Sequence, residues 1–248
     1  MSASGALADV VVWHDVECGG YDADLPLWRE LAGDAAGPVL ELGCGTGRVA
    51  LDLASRGHDV TALDSDPALV RELDARARER GVRVETAVAD ARTFSLEGRY
   101  ALIVAPMQVA QLMGGDSGRA GLLRSARAHL ARGGVFAAAL ADPFEGLPAA
   151  DTGPPVPDVR ERDGWVYSST PVAVRSAPGG GTAIDRLRQA VSPAGDLDES
   201  MWSITLDALE ADELERQAGD WGFEPLARRG VPPTGDYVGS VVVVLEGV

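Results

Sequence analysis

The chain contains no lysine, so its basic side chains are all arginine. The 22 basic residues are outnumbered by 38 acidic ones, and the formal net charge is −16. Nucleic-acid binding depends on a basic face that displaces phosphate counterions, and the sequence offers none. We therefore expect no nucleic-acid partner and no attraction to anionic membranes. The acidic balance either serves solubility alone or indicates a pocket that favours an amine.

Cysteine and histidine are also scarce. Cys18 lies near the N-terminus and Cys44 lies inside a glycine-rich loop, so a disulfide framework is not expected. The three histidines, at positions 14, 58 and 129, show no metal-ligand spacing. We expect no metal site.

Long apolar runs are missing as well, so no segment is predicted to span a bilayer. The N-terminus lacks the basic and apolar regions of a secretory signal, which predicts a cytoplasmic protein. With 248 residues, 46% of them hydrophobic, the chain can form one α/β domain with an insertion. We expect a monomer or a homodimer.

Residues 38–66 carry the pattern around which the rest of the sequence is arranged. They read as a buried strand, a glycine-rich loop, a helix and a second strand, with Asp64 at the tip of the second strand. The predicted ranges are 39–42 and 60–63 for the strands and 49–56 for the helix. The acid can accept both hydroxyls of a ribose, so the pattern predicts half of a nucleotide-binding α/β fold.

The glycine spacing narrows the choice of nucleotide. A dinucleotide fingerprint is G-x-G-x-x-G, with a helix N-terminus aimed at a pyrophosphate. Here the spacing is G-x-G-x-G, and Glu41 stands two residues before the first glycine. A carboxylate at that position suits a ligand with a cationic end and no phosphate. A dehydrogenase with a catalytic Tyr-x-x-x-Lys is excluded, because the chain has no lysine.

The run ELGCGTG, residues 41–47, closely resembles motif I of the class I S-adenosylmethionine-dependent methyltransferases. Asp90-Ala91 after the third strand (82–89) and Ala105-Pro106 after the fourth (100–105) stand where that family has its next motifs. The resemblance implies S-adenosylmethionine as cofactor and S-adenosylhomocysteine as product. It also implies a Rossmann-like seven-stranded sheet with helices on both faces, the last strand being antiparallel between its neighbours.

The resemblance further implies which residues bind the cofactor. Asp64 would hold the ribose, Asp90 and Ala91 the adenine, and Ala105 would lie by the methionine end. The full predicted set is Glu41, Gly43, Cys44, Gly45, Gly47, Asp64, Ser65, Asp90, Ala91 and Ala105. A turn-forming aspartate remains the alternative for Asp90. The residues after the fourth strand, APMQ, are not the motif of DNA methyltransferases that modify exocyclic amines.

The N-terminal segment, residues 1–33, is predicted to be a mobile lid arm followed by a helix (24–32). Many similar sequences have a Tyr-Asp pair where this chain has His14-Asp15. Imidazole can take a proton near neutral pH, so His14 is a candidate base and a candidate substrate contact. The alternative is a half-buried histidine without a chemical role. Tyr21 on the same arm is a second candidate substrate contact.

The second half of the sequence continues the sheet and adds an insertion. A helix (119–131) leads to a fifth strand (135–140), a Pro- and Gly-rich loop (142–163) and three strand-like stretches. These stretches, residues 165–174, 182–191 and 199–206, predict an antiparallel β-meander inserted after the fifth strand. A final helix (210–220) and a last strand (240–245) follow.

Related small-molecule methyltransferases use such an insertion to roof the substrate pocket or to pair subunits, so the resemblance implies one of these two roles for the meander. The predicted substrate contacts are His14, Tyr21, Gln108, Trp165, Tyr167 and Trp202. Aromatic residues on a meander can equally be core. Three arginines of the meander, Arg175, Arg186 and Arg188, either balance the acidic surface or hold a substrate carboxylate.

The sequence thus predicts one methyltransferase domain over residues 1–248. Its parts are the N-terminal arm and helix (1–33), the cofactor-binding core (34–141), the loop and meander (142–206) and the final helix and strands (207–248). The predicted reaction is methyl transfer from S-adenosylmethionine to a nitrogen or oxygen of a small molecule, a specialised metabolite. A non-catalytic cofactor-binding or partner protein on the same fold remains the alternative.

Overall fold

The computed structural model describes residues 9–141, 156–178, 180–234 and 237–248. The first eight residues and most of the predicted Pro- and Gly-rich loop lie outside these ranges. No helix in the described ranges is long and apolar enough to span a bilayer.

The strands of the main sheet are β1 (Val39–Leu42), β2 (Val60–Asp64), β3 (Glu85–Val88), β4 (Tyr100–Ala105), β5 (Leu130–Leu140), β10 (Phe223–Pro225), β11 (Arg229–Val231) and β12 (Ser240–Gly247). This sheet is mostly parallel and has the strand order β10-β12-β5-β4-β1-β2-β3, with β11 also paired to β12. β12 runs antiparallel to both β5 and β10, as expected. The chain order reverses between β1 and β4, and α/β sheets bind ligands at the carboxyl edge beside such a switch point.

Helices cover both faces of this sheet. They are α1 (Val10–Cys18), α2 (Leu25–Asp34), α3 (Arg48–Ser55), α4 (Pro67–Arg80), α5 (Asp116–His129) and α6 (Ala211–Gly219), with a 3-10 helix over Val109–Leu112. Alternate residues of one strand enter different cores: Leu40 packs with α5 and α6, whereas Val39 packs with α2, α3 and α4. Both faces are buried, which explains the unbroken apolar runs of the central strands. The fold class is confirmed.

Within the predicted lid arm, Val10–Cys18 form the packed helix α1. Asp9 caps α1 by accepting the amide of Val11 at 3.0 Å. Val12, Trp13 and Val16 are buried in a third apolar cluster, against the inserted sheet. Because α1 is covered on several sides, its sequence lacks the 3.6-residue alternation of a surface helix and reads as a featureless apolar run.

The insertion is a four-stranded antiparallel sheet with the order β6-β7-β8-β9, one strand more than predicted. Its strands are β6 (Asp158–Arg162), β7 (Trp165–Ser176), β8 (Thr182–Val191) and β9 (Leu197–Leu206). β6 lies where a loop was expected. The hairpin between β6 and β7 turns at Asp163-Gly164, both with positive φ (54° and 77°). Asp-Gly is a strong hairpin signal. The strand before it, β6, was not predicted, because its sequence is mostly charged.

Candidate functional site

The glycine loop between β1 and α3 is shaped by close packing above it. Gly43 has φ +67°, and a Cβ on it would lie 2.6 Å from the side chain of Val109. Gly45 has φ +53°, and a Cβ there would lie 2.0 Å from Nε2 of His14. The loop therefore tolerates no side chain at these two positions.

Asp64 stands at the tip of β2, as expected, and anchors the loop. Its Oδ2 accepts the amide of Gly45 at 2.9 Å, and its Oδ1 accepts the amide of Asp66 at 2.9 Å. A carboxylate has about four acceptor positions, so both oxygens keep a free lone pair. These lone pairs are available to two hydroxyl groups of a ligand.

Glu41 is buried at the end of β1 and lies on a cavity wall. Its Oε2 has no hydrogen-bond partner among the described residues. Burial raises the pKa of Glu41 to about 8, although the guanidinium of Arg48 opposes the shift. The side chain is therefore protonated at neutral pH, and a cation in the cavity would favour its ionised form.

The cavity has a volume of about 830 Å³ and lies over the switch point of the main sheet. We call one side the cofactor half, lined by the predicted motif residues Glu41, Gly43, Cys44, Asp64, Ser65, Asp90 and Ala91. We call the other side the acceptor half, lined by Trp13, Glu17, Met107, Gln108, Val109, Leu112, Met113, Arg188, Ser200, Met201, Trp202 and Ile204. The predicted substrate contacts Gln108 and Trp202 therefore lie on the cavity wall.

A buried ion pair ties α1 to the cofactor half. Asp15 is 4% exposed and accepts hydrogen bonds from Arg76 on α4 and from the hydroxyl of Thr46 in the glycine loop, the latter at 2.8 Å. Burial alone would raise the pKa of Asp15, but the hydrogen bonds from Arg76 and Thr46 lower it below the ordinary value. Arg160 on β6 approaches the same carboxylate at 3.5 Å.

A second ion pair ties α1 to the inserted sheet. Glu17 accepts two hydrogen bonds from Arg188, each 2.7 Å, and one from Ser169, also 2.7 Å. The guanidinium of Arg188 contacts two indoles, 5.1 Å from the ring centroid of Trp13 and 4.4 Å from that of Trp202. These two cation–π contacts hold both rings and the cation together.

The interpretation of the meander arginines as ligands for a substrate carboxylate is wrong, because the protein supplies their carboxylates. Arg188 pairs with Glu17, and Arg175 pairs with Asp185 at 2.8 Å. Arg186 pairs with Asp158.

His14 lies on the cavity wall directly over Gly45. Its Nδ1 is 3.4 Å from the hydroxyl of Thr46, which itself donates to Asp15. Burial lowers the pKa of His14, while the carboxylates of Asp15 and Asp64 oppose the shift. The ring is therefore neutral at physiological pH and belongs to the cofactor half.

Asp90 has the geometry of a turn-forming aspartate and also lies on the cavity wall. Its carboxylate accepts the backbone amide of Arg92 at 2.8 Å, as a turn-forming aspartate does, and it lines the cavity. The guanidinium of Arg92 also binds it, and this hydrogen bonding lowers the pKa of Asp90. A ligand at this wall would meet an ionised carboxylate.

Six predicted site residues do not line the cavity, and their packing explains why. Gly45 is covered by His14, Gly47 by Leu73, and Ala105 is buried at the end of β4. The aromatic candidates also need correction: Tyr21, Trp165 and Tyr167 belong to the core. Tyr21 packs against Tyr237 with centroids 4.9 Å apart. Trp165 and Tyr167 stack at 6.3 Å in the cluster around α1.

Sequence reasoning missed Trp13 and the pairing of Glu17 with Arg188. The signal for α1 was Asp9, a good N-cap residue directly before the apolar run. The pairing of Glu17 with a residue 171 positions away leaves no local signal. Among the described residues, no group of three or more His, Cys, Asp or Glu side chains is arranged to hold a metal ion.

Comparison with known proteins gives the class. Residues 39–134 match the family model described as a methyltransferase domain. A 74-residue stretch is 39% identical to the 2-heptyl-1-hydroxyquinolin-4(1H)-one methyltransferase of Mycobacteroides abscessus. That stretch is 29% of this chain and spans only 33% of the relative.

Solved structures agree along nearly the whole chain. The CcbJ methyltransferase from Streptomyces caelestis matches with a TM-score of 0.71 and 22% identity, over 93% of this chain and 92% of that one. The CalS10 amino pentose methyltransferase from Micromonospora echinaspora, solved with S-adenosylmethionine bound, matches with a TM-score of 0.67 and 22% identity, over 96% and 97% of the two chains. Sequence identities this low are evidence for a shared fold alone.

Residues 39–134 therefore match a methyltransferase domain, and the chain has the fold of the class I S-adenosylmethionine-dependent methyltransferases. The resemblance of the glycine-loop segment to this family is confirmed, and S-adenosylmethionine is the family's cofactor. The cofactor half fits this ligand: the unpaired, buried Glu41 suits its cationic end, and the free lone pairs of Asp64 suit a ribose.

Proposed function

We propose that this protein transfers a methyl group from S-adenosylmethionine to a nitrogen or oxygen of a small molecule, a specialised metabolite. The observation that carries the proposal is one cavity with the cofactor motif along one half and a different, largely apolar wall along the other. Its volume of about 830 Å³ falls within the roughly 300–1,000 Å³ typical of small-molecule sites. The acidic surface favours no nucleic-acid substrate.

S-adenosylmethionine supplies an electrophilic methyl group on a sulfonium centre. We assign Asp64 to the ribose, Glu41 to the cationic end, and Asp90 with Ala91 to the adenine. Holding the acceptor in line and excluding water accounts for most of the catalysis that such a displacement needs. α1 contributes to both tasks, because it closes the cavity over the glycine loop.

His14 has a different role in this proposal from that of a base. Its ring stands over Gly45 and near Asp64, in the cofactor half, and burial lowers its pKa. We assign His14 to covering the bound cofactor. An amine acceptor needs only to be neutral when it attacks, so the chemistry does not require a base at this position.

The small-molecule acceptor is supported by the relatives. CalS10 is described as an amino pentose methyltransferase, and the mycobacterial relative is named for a hydroxyquinolone. Their acceptors differ from each other in chemistry, so they support the size class of the substrate and not its identity.

Calorimetric titration with S-adenosylhomocysteine tests the proposal, with NADH as the competing nucleotide. We expect saturable binding of S-adenosylhomocysteine and none of NADH. Asp64→Ala should weaken binding at least about tenfold, because two ligand hydroxyls lose a charged acceptor. Asp59→Ala, at the exposed opposite end of β2, is the matched control and should bind normally.

Equal loss of binding in both variants, or no binding by the wild type, contradicts the proposal. Transfer of a radiolabelled methyl group to a panel of small amines and phenols then tests catalysis. Cofactor binding without transfer to any acceptor would favour the non-catalytic alternative that the sequence left open.

A further inference from the structure

The acceptor half of the cavity exposes apolar side chains that a protein normally buries. Trp202 on β9 is 49% exposed, and Leu112 on the 3-10 helix is 44% exposed. Both lie on the cavity wall, with Ile204 and Met113 beside them. Apolar side chains left open inside a cavity indicate a ligand that covers them.

The ring of Trp202 is held in a fixed orientation. One side is covered by the guanidinium of Arg188, 4.4 Å from the ring centroid. Arg188 is held in turn by its two hydrogen bonds to Glu17 and by its contact with the indole of Trp13. β9 is the last strand of its sheet, so Trp202 has a neighbouring strand on one side only. The result is a rigid aromatic surface that borders the cavity.

The charges of the acceptor half cancel each other. Within the described chain, Glu17 and Arg188 are the charged side chains assigned to this half, and they bind one another. The two other arginines on the cavity wall, Arg48 and Arg92, are paired with Asp24 and Asp90. An anionic acceptor, such as a nucleoside diphosphate sugar, would have to displace Glu17 in order to pair with Arg188. A cationic amino sugar would have to take Glu17 from both Arg188 and Ser169. Either exchange breaks the buried charge pair: Glu17 would keep only Ser169 and the more distant Arg186, at 3.5 Å, whereas Arg188 would lose its carboxylate.

Uncharged polar groups remain available. Gln108 lies on the wall, and its side-chain amide makes no hydrogen bond within the described residues. An amide can both donate and accept, so it suits a hydroxyl or ring nitrogen of a neutral ligand. The acceptor half thus combines a flat aromatic surface, an apolar surround and a neutral polar contact.

We propose that the methyl acceptor is a neutral, planar aromatic or heteroaromatic molecule that stacks on Trp202 and directs its polar substituent to Gln108. This inference rests on the proposed function and names the substrate class of the same cavity. Trp202 is the specificity-determining residue, and Arg188 acts through Trp202 as a positioning residue.

The test uses the full chain saturated with S-adenosylhomocysteine. Two probes are titrated by calorimetry: 2-naphthol, a neutral planar hydroxyl compound, and glucosamine, a cationic amino sugar. We expect 2-naphthol to bind at least about tenfold more tightly than glucosamine. Trp202→Ala should weaken 2-naphthol binding about tenfold, and Trp202→Phe should restore most of it, because a ring that stacks is present again.

Leu197→Ala is the matched control, since Leu197 is an exposed apolar residue of the same strand that does not line the cavity. It should leave 2-naphthol binding unchanged. Absence of 2-naphthol binding, tighter binding of glucosamine, or an unchanged affinity in Trp202→Ala overturns the inference. S-adenosylhomocysteine binding, measured on every variant, separates this failure from failure of the proposed function, in which the wild type would not bind the nucleoside at all.

Discussion

His14 occupies the space that a side chain at Gly45 would need. The Nε2 atom of His14 lies 2.0 Å from the position of a Cβ on Gly45, and Gly45 has φ +53°. The glycine at the centre of the loop is therefore required by the helix above it. The glycine loop and α1 are therefore sterically complementary, because the loop lacks a side chain where the ring of His14 lies.

Gly45→Ala should consequently destabilise the protein more than its backbone angle alone explains. A left-handed φ costs a residue with a Cβ about 1 kcal/mol, and displacing His14 adds to that. Gly57→Ala is the control, because Gly57 has φ +91° and nothing within 4 Å of its Cβ position. Denaturant unfolding should show a larger loss in the free energy of unfolding for Gly45→Ala than for Gly57→Ala. The double variant His14→Ala/Gly45→Ala should recover the difference, and equal losses in the two single variants would contradict the steric account.

Cofactor binding should release a proton from Glu41. With a pKa of about 8, Glu41 is protonated at pH 7, and a bound sulfonium cation would favour the carboxylate. Titrations of S-adenosylmethionine at pH 7 in buffers of different ionisation enthalpy should show release of about one proton. Glu41→Gln should abolish the release, whereas Glu85→Gln, an exposed acid at the start of β3, should not.

The same group gives the stability a defined pH dependence. The folded pKa of Glu41 is raised above the ordinary 4.5, so the folded protein binds a proton that the unfolded chain has lost. The free energy of unfolding should therefore fall as the pH rises from about 4.5 to 8. Glu41→Gln should flatten this slope, and an identical slope in both proteins would show that Glu41 is not protonated.

Arg76→Met should be strongly destabilising. It leaves Asp15, 4% exposed, as a buried carboxylate without its main partner, which typically costs about 3–5 kcal/mol. Arg78→Met on the same helix removes only an exposed pair with Asp74 at 3.8 Å and should cost under about 0.5 kcal/mol. Urea unfolding at neutral pH measures the loss of stability in both variants.

The Asp15 pair also predicts a loss of stability in acid. The pKa of Asp15 is lowered in the folded protein, so its contribution is present above the ordinary value of 3.8 and is lost as the pH falls below that value. Arg76→Met should lose part of this acid dependence. Similar unfolding midpoints for Arg76→Met and Arg78→Met would refute the importance of the buried pair.

Gln111→Leu should weaken the join between the 3-10 helix and β5. The side-chain amide of Gln111 accepts the backbone amide of Ala141 and donates to its carbonyl, both at 2.9 Å and both buried. Leaving these two groups unpaired should cost about 2–4 kcal/mol in thermal or chemical unfolding. Gln108→Leu, three residues earlier, should change stability by less than about 0.5 kcal/mol, because its side chain bonds no described residue.

The cofactor half could be predicted because its signals are local. A strand, its glycines, the following helix and Asp64 lie within a few residues of one another, and their geometry is dictated by backbone rules that apply in any α/β fold. The acid at the tip of β2 stands where the sequence places it, and its oxygens hold the loop amides.

The acceptor half could not be predicted to the same depth, because it is built from contacts distant in sequence. Glu17 and Arg188 are 171 positions apart, and the sequence around either residue does not indicate that the two pair. Trp165, Tyr167 and Trp202 look alike as aromatic residues of a meander. They differ in burial, because Trp165 and Tyr167 pack against α1 in the core, whereas Trp202 lies on the edge strand β9.

The helix α1 carries carboxylates that serve two neighbours, and this limits how the fold can be recombined. Asp15 is shared with the glycine loop, α4 and β6, and Glu17 with β7 and β8. A chimera that imported a foreign β6–β9 sheet alone would leave the half-buried Glu17 without its guanidinium. The exchangeable cassette for altering acceptor preference is therefore the inserted sheet together with α1, two segments far apart in the gene that must be inherited as a pair.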